Sequence, residues 1–348
     1  MTFTHRVKRR SCVSRLAPLG ALLLAACSTV SHRPEVANRV DDVDEARLRD
    51  HVAALVQIGP RSGHDAAETE ATVRYLEESL RKLGYEPRRE TFTADIRVMT
   101  QRVNEDGSIS FLIAAGEPQP RHNVIVEIPG RTAPESVVEV GAHYDTVRAS
   151  PGADDNASGV AALLEAARVL RGAEPAATIR FIFFALEEDD FQGSRAHVAA
   201  LGEAERASFR GMIGLDMVGV STDAPDSQET PVWVPFLSWG SVGDFLLVLG
   251  NNSSGDLGNR VEDAIDVYVP ELPYYSLNRI GGWFDDGYRS DHVPYWEAGL
   301  RAIELTDTGE LRTPHYHAPS DLPTQIDFEF LSRVTQATAA AALHRANE

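Results

Sequence analysis

The stretch SVVEVGAHYDTVRASPGADDNASGVAALLEAARVLRG, residues 136–172, carries the pattern that organises the rest of the chain. Its first five residues are an apolar run that reads as a strand. Its last fourteen, 159–172, have helical spacing. The loop between them holds His143, Asp145, Asp154 and Asp155. A second strand–loop–helix unit follows. ATIRFIFFAL (177–186) is a buried strand, EEDD a polar loop, and GSRAHVAALGEAERASF (193–209) a helix. Strands alternating with helices predict βαβ units and a largely parallel sheet covered on both faces. The expected fold is a three-layer α/β/α sandwich with a mostly parallel mixed central sheet. Open sheets of this kind place their ligands beyond the carboxyl ends of the strands, where these polar loops lie.

Working outward, residues 43–59 and 66–85 read as amphipathic helices joined by GPRSG, and 86–95 as an edge strand. Residues 122–130 and 211–220 are strand runs, and 327–346 a closing helix. Residues 221–290 are rich in Asn, Ser, Gly, Asp and aromatics. They read as a less regular insert forming part of a pocket, with a strand at 244–250 and a helix starting near 253–265.

The chain has 348 residues, 43% of them hydrophobic, and a formal net charge of −19. That suits a protein with a full core and argues against a nucleic-acid binder, which is normally basic. Residues 1–26 carry Arg6, Lys8, Arg9 and Arg10 and then an apolar run too short to span a bilayer, the layout of a secretory signal. LAAC, residues 24–27, resembles the bacterial lipoprotein box, which implies acylation of Cys27 and an exported lipoprotein facing the periplasm, at the outer membrane by that resemblance. Residues 27–43 read as a tether and 44–348 as a single domain. The only other cysteine, Cys12, lies in the segment to be removed, so no disulfide is expected.

His143 and Asp145 are two apart, which on a strand puts them on one face, and a carboxylate is a good holder for the second nitrogen of a ligating histidine. Asp154 and Asp155 precede a helix. One acid caps a helix start, but two adjacent acids repel unless a cation is near. Glu187 and Glu188 end a very apolar strand and point in different directions, so one can bind a metal while the other stays free as a base. Asp216 is a lone acid between apolar residues, costly if buried without a cation or donor. His315 and His317 both offer a late histidine. These loops together supply the residue types of a metal site.

GAHYDT, PGADDNASG, FALEEDDFQGS, LDMVG, SDHVPY and YHAPSD occur in the order seen in the two-zinc aminopeptidases of secreted bacterial type. The chain resembles that family over roughly residues 45–345, including LVQIGPRSG near the start. Its superfamily includes glutamate carboxypeptidase and transferrin-receptor ectodomains and glutaminyl cyclases. The resemblance implies two Zn²⁺, with His143 and Asp216 on one, Glu188 and His317 on the other, and Asp154 bridging. It implies Glu187 as general base, Asp145 behind His143 in the catalytic set, and Asp155 bracing the loop. Tyr288, Asp291, His292 and Asp321 are expected beside the site or the substrate. The implied activity is removal of residues from peptides with a free N-terminus. The acidic balance favours an N-terminal ammonium, and the aromatic stretch GGWFDDGY (281–288) beside SDH reads as part of the pocket wall, with a lean toward apolar side chains, or else Trp283 and Phe284 are ordinary packing. Two alternatives stand beside it: a single-zinc glutaminyl cyclase and a non-catalytic binding protein of the same fold.

Overall fold

The structure is a computed structural model describing residues 30–103, 109–230 and 240–348, with 97–103 and 109–115 described as backbone only. It opens with three helices, α1 (Pro34–Val40), α2 (Glu45–Ile58) and α3 (Ala66–Lys82). Asp44 and Asp65 cap α2 and α3 by accepting their first free N–H groups. Strand β1 (Arg88–Ala94) and a separate hairpin, β2 (Arg97–Val103) with β3 (Ile109–Ala115), come next. Then follow β4 (Gln119–Ile128), β5 (Ala133–His143), α4 (Gly159–Leu170), β6 (Ala177–Phe184), α5 (Gln192–Ala200), α6 (Glu203–Ser208) and β7 (Phe209–Leu215). The chain finishes with β8 (Leu246–Gly250), α7 (Gly255–Tyr268), β9 (Tyr274–Leu277), α8 (Val293–Glu297), β10 (Ala302–Thr306) and α9 (Phe328–Ala346).

Eight strands form one sheet in the order β1-β4-β6-β5-β7-β10-β8-β9. The β6/β5, β5/β7, β7/β10 and β8/β9 pairs are parallel, while β1/β4, β4/β6 and β10/β8 are antiparallel. The expected mixed sandwich is therefore present. Every residue of β6 is buried, as a central strand covered on both faces requires. Helices α2, α4, α7 and α9 pack on one face around a large core. The run of buried alanines at 339–342 lets α9 lie close against its neighbours. On the other face, α5, α6 and α8 cover a smaller core built on Ile125, Ile182, Phe184, Met212 and Tyr295. Because β6, β5, β7 and β10 are adjacent and parallel, Glu187, His143, Asp216 and Asp307 all emerge at one end of the sheet.

Three expectations change. The tether ends earlier than residue 43: α1 is part of the domain, with Val36 and Val40, one turn apart, both buried. Arg39 seals the end of α4 by donating to the carbonyls of Val169, Arg171 and Gly172. The single helix expected over 193–209 is two, because Leu201 is extended and Gly202 starts α6. Residues 221–290 are more regular than expected, since β8, α7 and β9 extend the main sheet through β10. The strand β10 and the β2/β3 hairpin were not foreseen. The signal and lipoprotein expectations, including Cys27, fall on residues 1–29, outside the described residues.

Candidate metal centre

His143 is the last residue of β5, and its Nδ1 is held 3.2 Å from the carbonyl oxygen of Asp145. The Asp145 carboxylate also lies 3.7 Å from that nitrogen. It accepts from the backbone N–H groups of Glu187 and Glu188 at 3.0 and 3.2 Å. Asp145 thus ties the end of β5 to the loop after β6. It is buried and is not among the residues lining the pocket, behind His143 and the loop that carries Glu187 and Glu188.

The other nitrogen of His143, Nε2, faces three carboxylates. Asp216 Oδ1 is at 3.2 Å, Asp155 Oδ1 at 3.5 Å and Glu187 Oε2 at 4.0 Å. Asp155 turns its second oxygen, Oδ2, to His317 Nε2 at 3.2 Å, and Glu188 Oε2 is 3.1 Å from the same nitrogen. Glu188 Oε1 is steadied by the N–H of Val147 at 3.2 Å. Two groups result, His143–Asp155–Asp216 and Asp155–Glu188–His317, each with its potential ligand atoms within 4.8 Å of one another. Asp155 belongs to both.

The shared position expected of Asp154 is occupied by Asp155 instead, and Asp154 belongs to neither group. The two carboxylates leave the same turn on opposite sides. Asp154 Oδ1 accepts from Gly219 N–H at 2.9 Å. Burial together with Asp307 and Asp321 pushes its carboxyl well above the usual range. The turn itself, residues 153–158, is fixed from several directions. Asp321 accepts from the N–H groups of Asp154 and Asp155 at 2.9 and 3.1 Å. Asn156 donates to Leu215 O and accepts from Gly159 N–H, tying the turn to β7 and α4. Gly152 sits at φ +62°, and a Cβ there would fall 2.3 Å from Asp155 O. The turn includes a cis peptide between Asp155 and Asn156. The GPRSG motif explains itself here. Arg61, fully buried, donates to the carbonyls of Leu55, Tyr144, Pro151 and Gly152 and so clamps both ligand loops.

Leu186, Asp190, Phe191, Met217 and His317 all have φ between 50° and 69°. Non-glycine residues avoid that region, and their clustering beside Glu187, Asp216 and His317 marks a site where surrounding contacts impose the backbone.

The protonation pattern is that of a site with too many acids. Burial pushes Glu187 well above the usual carboxylate range, with Asp216 and Glu188 adding to it. Burial and Glu188 push Asp155 up to about 7. Burial opposes charge on His317, but Asp155 and Glu188 outweigh it and raise the imidazole to about 10. His143 is likewise held well above its ordinary value against its burial, by Glu187 and Asp216. Asp216 falls below the usual range because His143 outweighs burial. Protons here supply positive charge that divalent cations would supply better. The geometry fits such ions as well. Zinc bonds of about 2.0–2.2 Å put neighbouring ligand atoms of a tetrahedron roughly 3.3 Å apart, and the pairs above span 3.1–3.5 Å. A mixed set of imidazole and carboxylate donors suits zinc.

A pocket of about 250 Å³ opens over the two groups, lined by Glu187, Asp190, Phe191, Tyr288, Arg289 and Tyr316 beside the ligand side chains. Tyr288 lines it, but its hydroxyl donates to Gly282 O at 3.1 Å. Of the expected aromatic wall, Trp283 is 76% exposed, and neither it nor Phe284 lines the pocket. Among the described residues no aliphatic side chain lines it, so the expected apolar lean finds only aromatic rings. Asp291 is buried outside the lining, and burial pushes its carboxyl up to about 7. His292 is no ligand: its nitrogens go to Glu304 at 2.9 Å and Gly287 O at 2.8 Å. His315 turns away to Ser320 at 2.8 Å. Arg289 and Tyr316 were not expected. Tyr316 stacks on His317 with ring centres 3.8 Å apart, and its hydroxyl is 3.3 Å from Arg289 Nη2. The only signal for either was adjacency to a motif residue.

Residues 123–342 match the model of the family described as Peptidase family M28. The chain is 34% identical over 231 residues to the uncharacterized protein YfbL of Escherichia coli, covering 62% of this chain and 68% of that one. It is 31% identical over 228 residues to the aminopeptidase YwaD of Bacillus subtilis, covering 64% of this chain but only 44% of that longer protein. The solved zinc aminopeptidase BSAP of Bacillus subtilis superposes with a TM-score of 0.69 at 22% identity, covering 86% of this chain and 94% of that one.

Proposed function

The chain belongs to peptidase family M28, and from that premise we propose that it is a zinc-dependent aminopeptidase holding two zinc ions. The observation that carries the proposal is the position of Asp155, shared between two imidazole–carboxylate groups, with Glu187 left over beside them. His143, Asp155 and Asp216 would hold one ion and Asp155, Glu188 and His317 the other. When bound, such a zinc pair supplies Lewis-acid polarisation of a carbonyl and a lower pKa for water. The chain's own residues do the rest. Glu187 belongs to neither ligand group and lines the pocket, so its carboxylate takes a proton from the attacking water and delivers it to the departing amine. Arg289 Nη2 donates to Tyr316 Oη, which leaves the hydroxyl proton free to point at a carbonyl oxygen that is gaining charge.

The acidic lining favours an N-terminal ammonium over a carboxylate at the metal end of the pocket. N-acetylation of a good peptide substrate is expected to abolish its cleavage, followed by chromatography of the products. Acetylated peptides cut as fast as free ones, or cuts inside the chain, would overturn the exopeptidase reading while leaving the metal site intact. The carboxylate shared between two ligand groups supports the two-ion reading over a one-zinc cyclase, and Glu187 left over in the pocket supports a catalyst over a binding protein.

We further propose that the protein is exported and lipid-anchored at Cys27, facing the periplasm. The support for this reading is the LAAC box at residues 24–27 after a short apolar run; a single acyl chain binds only marginally, so stable anchoring takes the several chains that lipoproteins carry. Cys27→Ser is expected to move the protein out of the membrane fraction or block its processing. Unchanged partitioning and processing would rule the anchor out.

A further inference from the structure

Five carboxylates line the pocket, those of Asp155, Glu187, Glu188, Asp190 and Asp216, and among the described residues a single Lys or Arg lines it with them, Arg289. A guanidinium cannot ligate cations, and its charge opposes theirs; its contact with Tyr316 uses only one of its donors. Its presence therefore calls for an anionic partner. Half of that partner is already visible. Arg289 Nη1 is paired with the carboxylate of Glu310, a half-exposed pair, and Nη2 contacts the Tyr316 hydroxyl. A guanidinium carries five N–H donors in a planar fork, so these two contacts leave donors over. Glu310 shows that the fork receives a carboxylate in this place, and a pair so exposed to water is weak enough to exchange.

The fork is also well placed along the chain. It follows Tyr288 and precedes Ser290, and the stretch is held by His292, whose nitrogens are fixed to Glu304 and to Gly287 O. Tyr316, which Arg289 contacts, stacks on His317. The guanidinium is thus one tyrosine away from the imidazole of the second ligand group.

Building on the aminopeptidase reading, we propose that Arg289 anchors a substrate carboxylate, so that the enzyme favours peptides bearing a carboxylate next to the scissile bond. Two sources share that chemistry: an acidic side chain on the residue removed, and the C-terminal carboxylate of a dipeptide. A planar fork binds either one through paired charge-assisted hydrogen bonds.

The test compares two matched pairs, Ala-Ala against Ala-Ala-amide and Glu-Ala-amide against Gln-Ala-amide, on the zinc-loaded protein. The carboxylate member of at least one pair is expected to have a kcat/KM about 10–100-fold higher, the scale of a charge-assisted bond; the pair that shows it identifies the source. Arg289→Gln is expected to collapse that ratio to near one, and Glu310→Gln, which removes the competing carboxylate, to raise it. If Arg289 merely supports Tyr316, both members of a pair fall together and the ratio persists, which overturns the proposal, as does a wild-type ratio near one in both pairs. Calorimetric binding of the same peptides to Glu187→Gln protein, with and without Arg289→Gln, separates this proposal from the catalytic one. Binding that depends on the carboxylate and on Arg289, in a protein whose wild type turns over no peptide, sustains the anchor and sinks the aminopeptidase. Binding that ignores the carboxylate sinks the anchor.

Discussion

Replacing Glu187 by glutamine is expected to lower turnover by about 10²–10⁴-fold, the range for a general acid–base group, with zinc content and fold unchanged. Glu187 is 4.0 Å from His143 Nε2 and joins neither ligand group, so its amide removes no ligand. Glutamine keeps the size and one carbonyl oxygen of the side chain and loses the ability to carry a proton between water and amine. The neighbouring substitution is the control. Glu188→Gln alters an oxygen 3.1 Å from His317 Nε2 and is expected to lose metal along with activity. Elemental analysis beside steady-state kinetics reads both. Near-normal turnover of Glu187→Gln would remove the residue from the mechanism.

The second large effect separates two adjacent aspartates. Asp155→Asn is expected to reduce zinc from two per chain to one or none and to cost more than the 10–100-fold typical of a partner lying behind a ligand, because both ligand groups lose a negatively charged oxygen at once. Asp154→Asn is expected to keep its zinc and stay within about tenfold of wild-type activity. Burial, Asp307 and Asp321 hold the Asp154 carboxyl toward its neutral form, and an amide imitates that form, its oxygen accepting from Gly219 N–H and its nitrogen donating toward Asp307. Metal analysis of the two purified variants decides the matter. Loss of zinc from Asp154→Asn with retention in Asp155→Asn would restore the bridge to Asp154.

The alternation of apolar strands with helices was enough to read the sandwich, because buried parallel strands have to be continuous apolar runs and their covering helices have to be amphipathic. The motif acids could be found for the same reason, since a carboxylate directly after such a run has to sit at the sheet's end. The strand β10 escaped because it is only five residues long, Ala302–Thr306, too short for periodicity alone to identify. The helix α1 escaped because only Val36 and Val40 of its seven residues face inward.

Sequence alone determined which residue types converge and in which order, because strand and helix periods are local and the motif residues sit at element ends. It did not determine direction within the turn at 153–158. Asp154 and Asp155 are chemically identical neighbours, and which of them points to His143 and His317 depends on Asp321 gripping both N–H groups, on Asn156 gripping Leu215 and on Gly219 receiving Asp154. Those partners lie 59 to 167 residues away along the chain. Only the folded arrangement brings them together, and for that reason the bridge, the Arg61 clamp and the Arg289–Tyr316 contact belong to the tertiary structure.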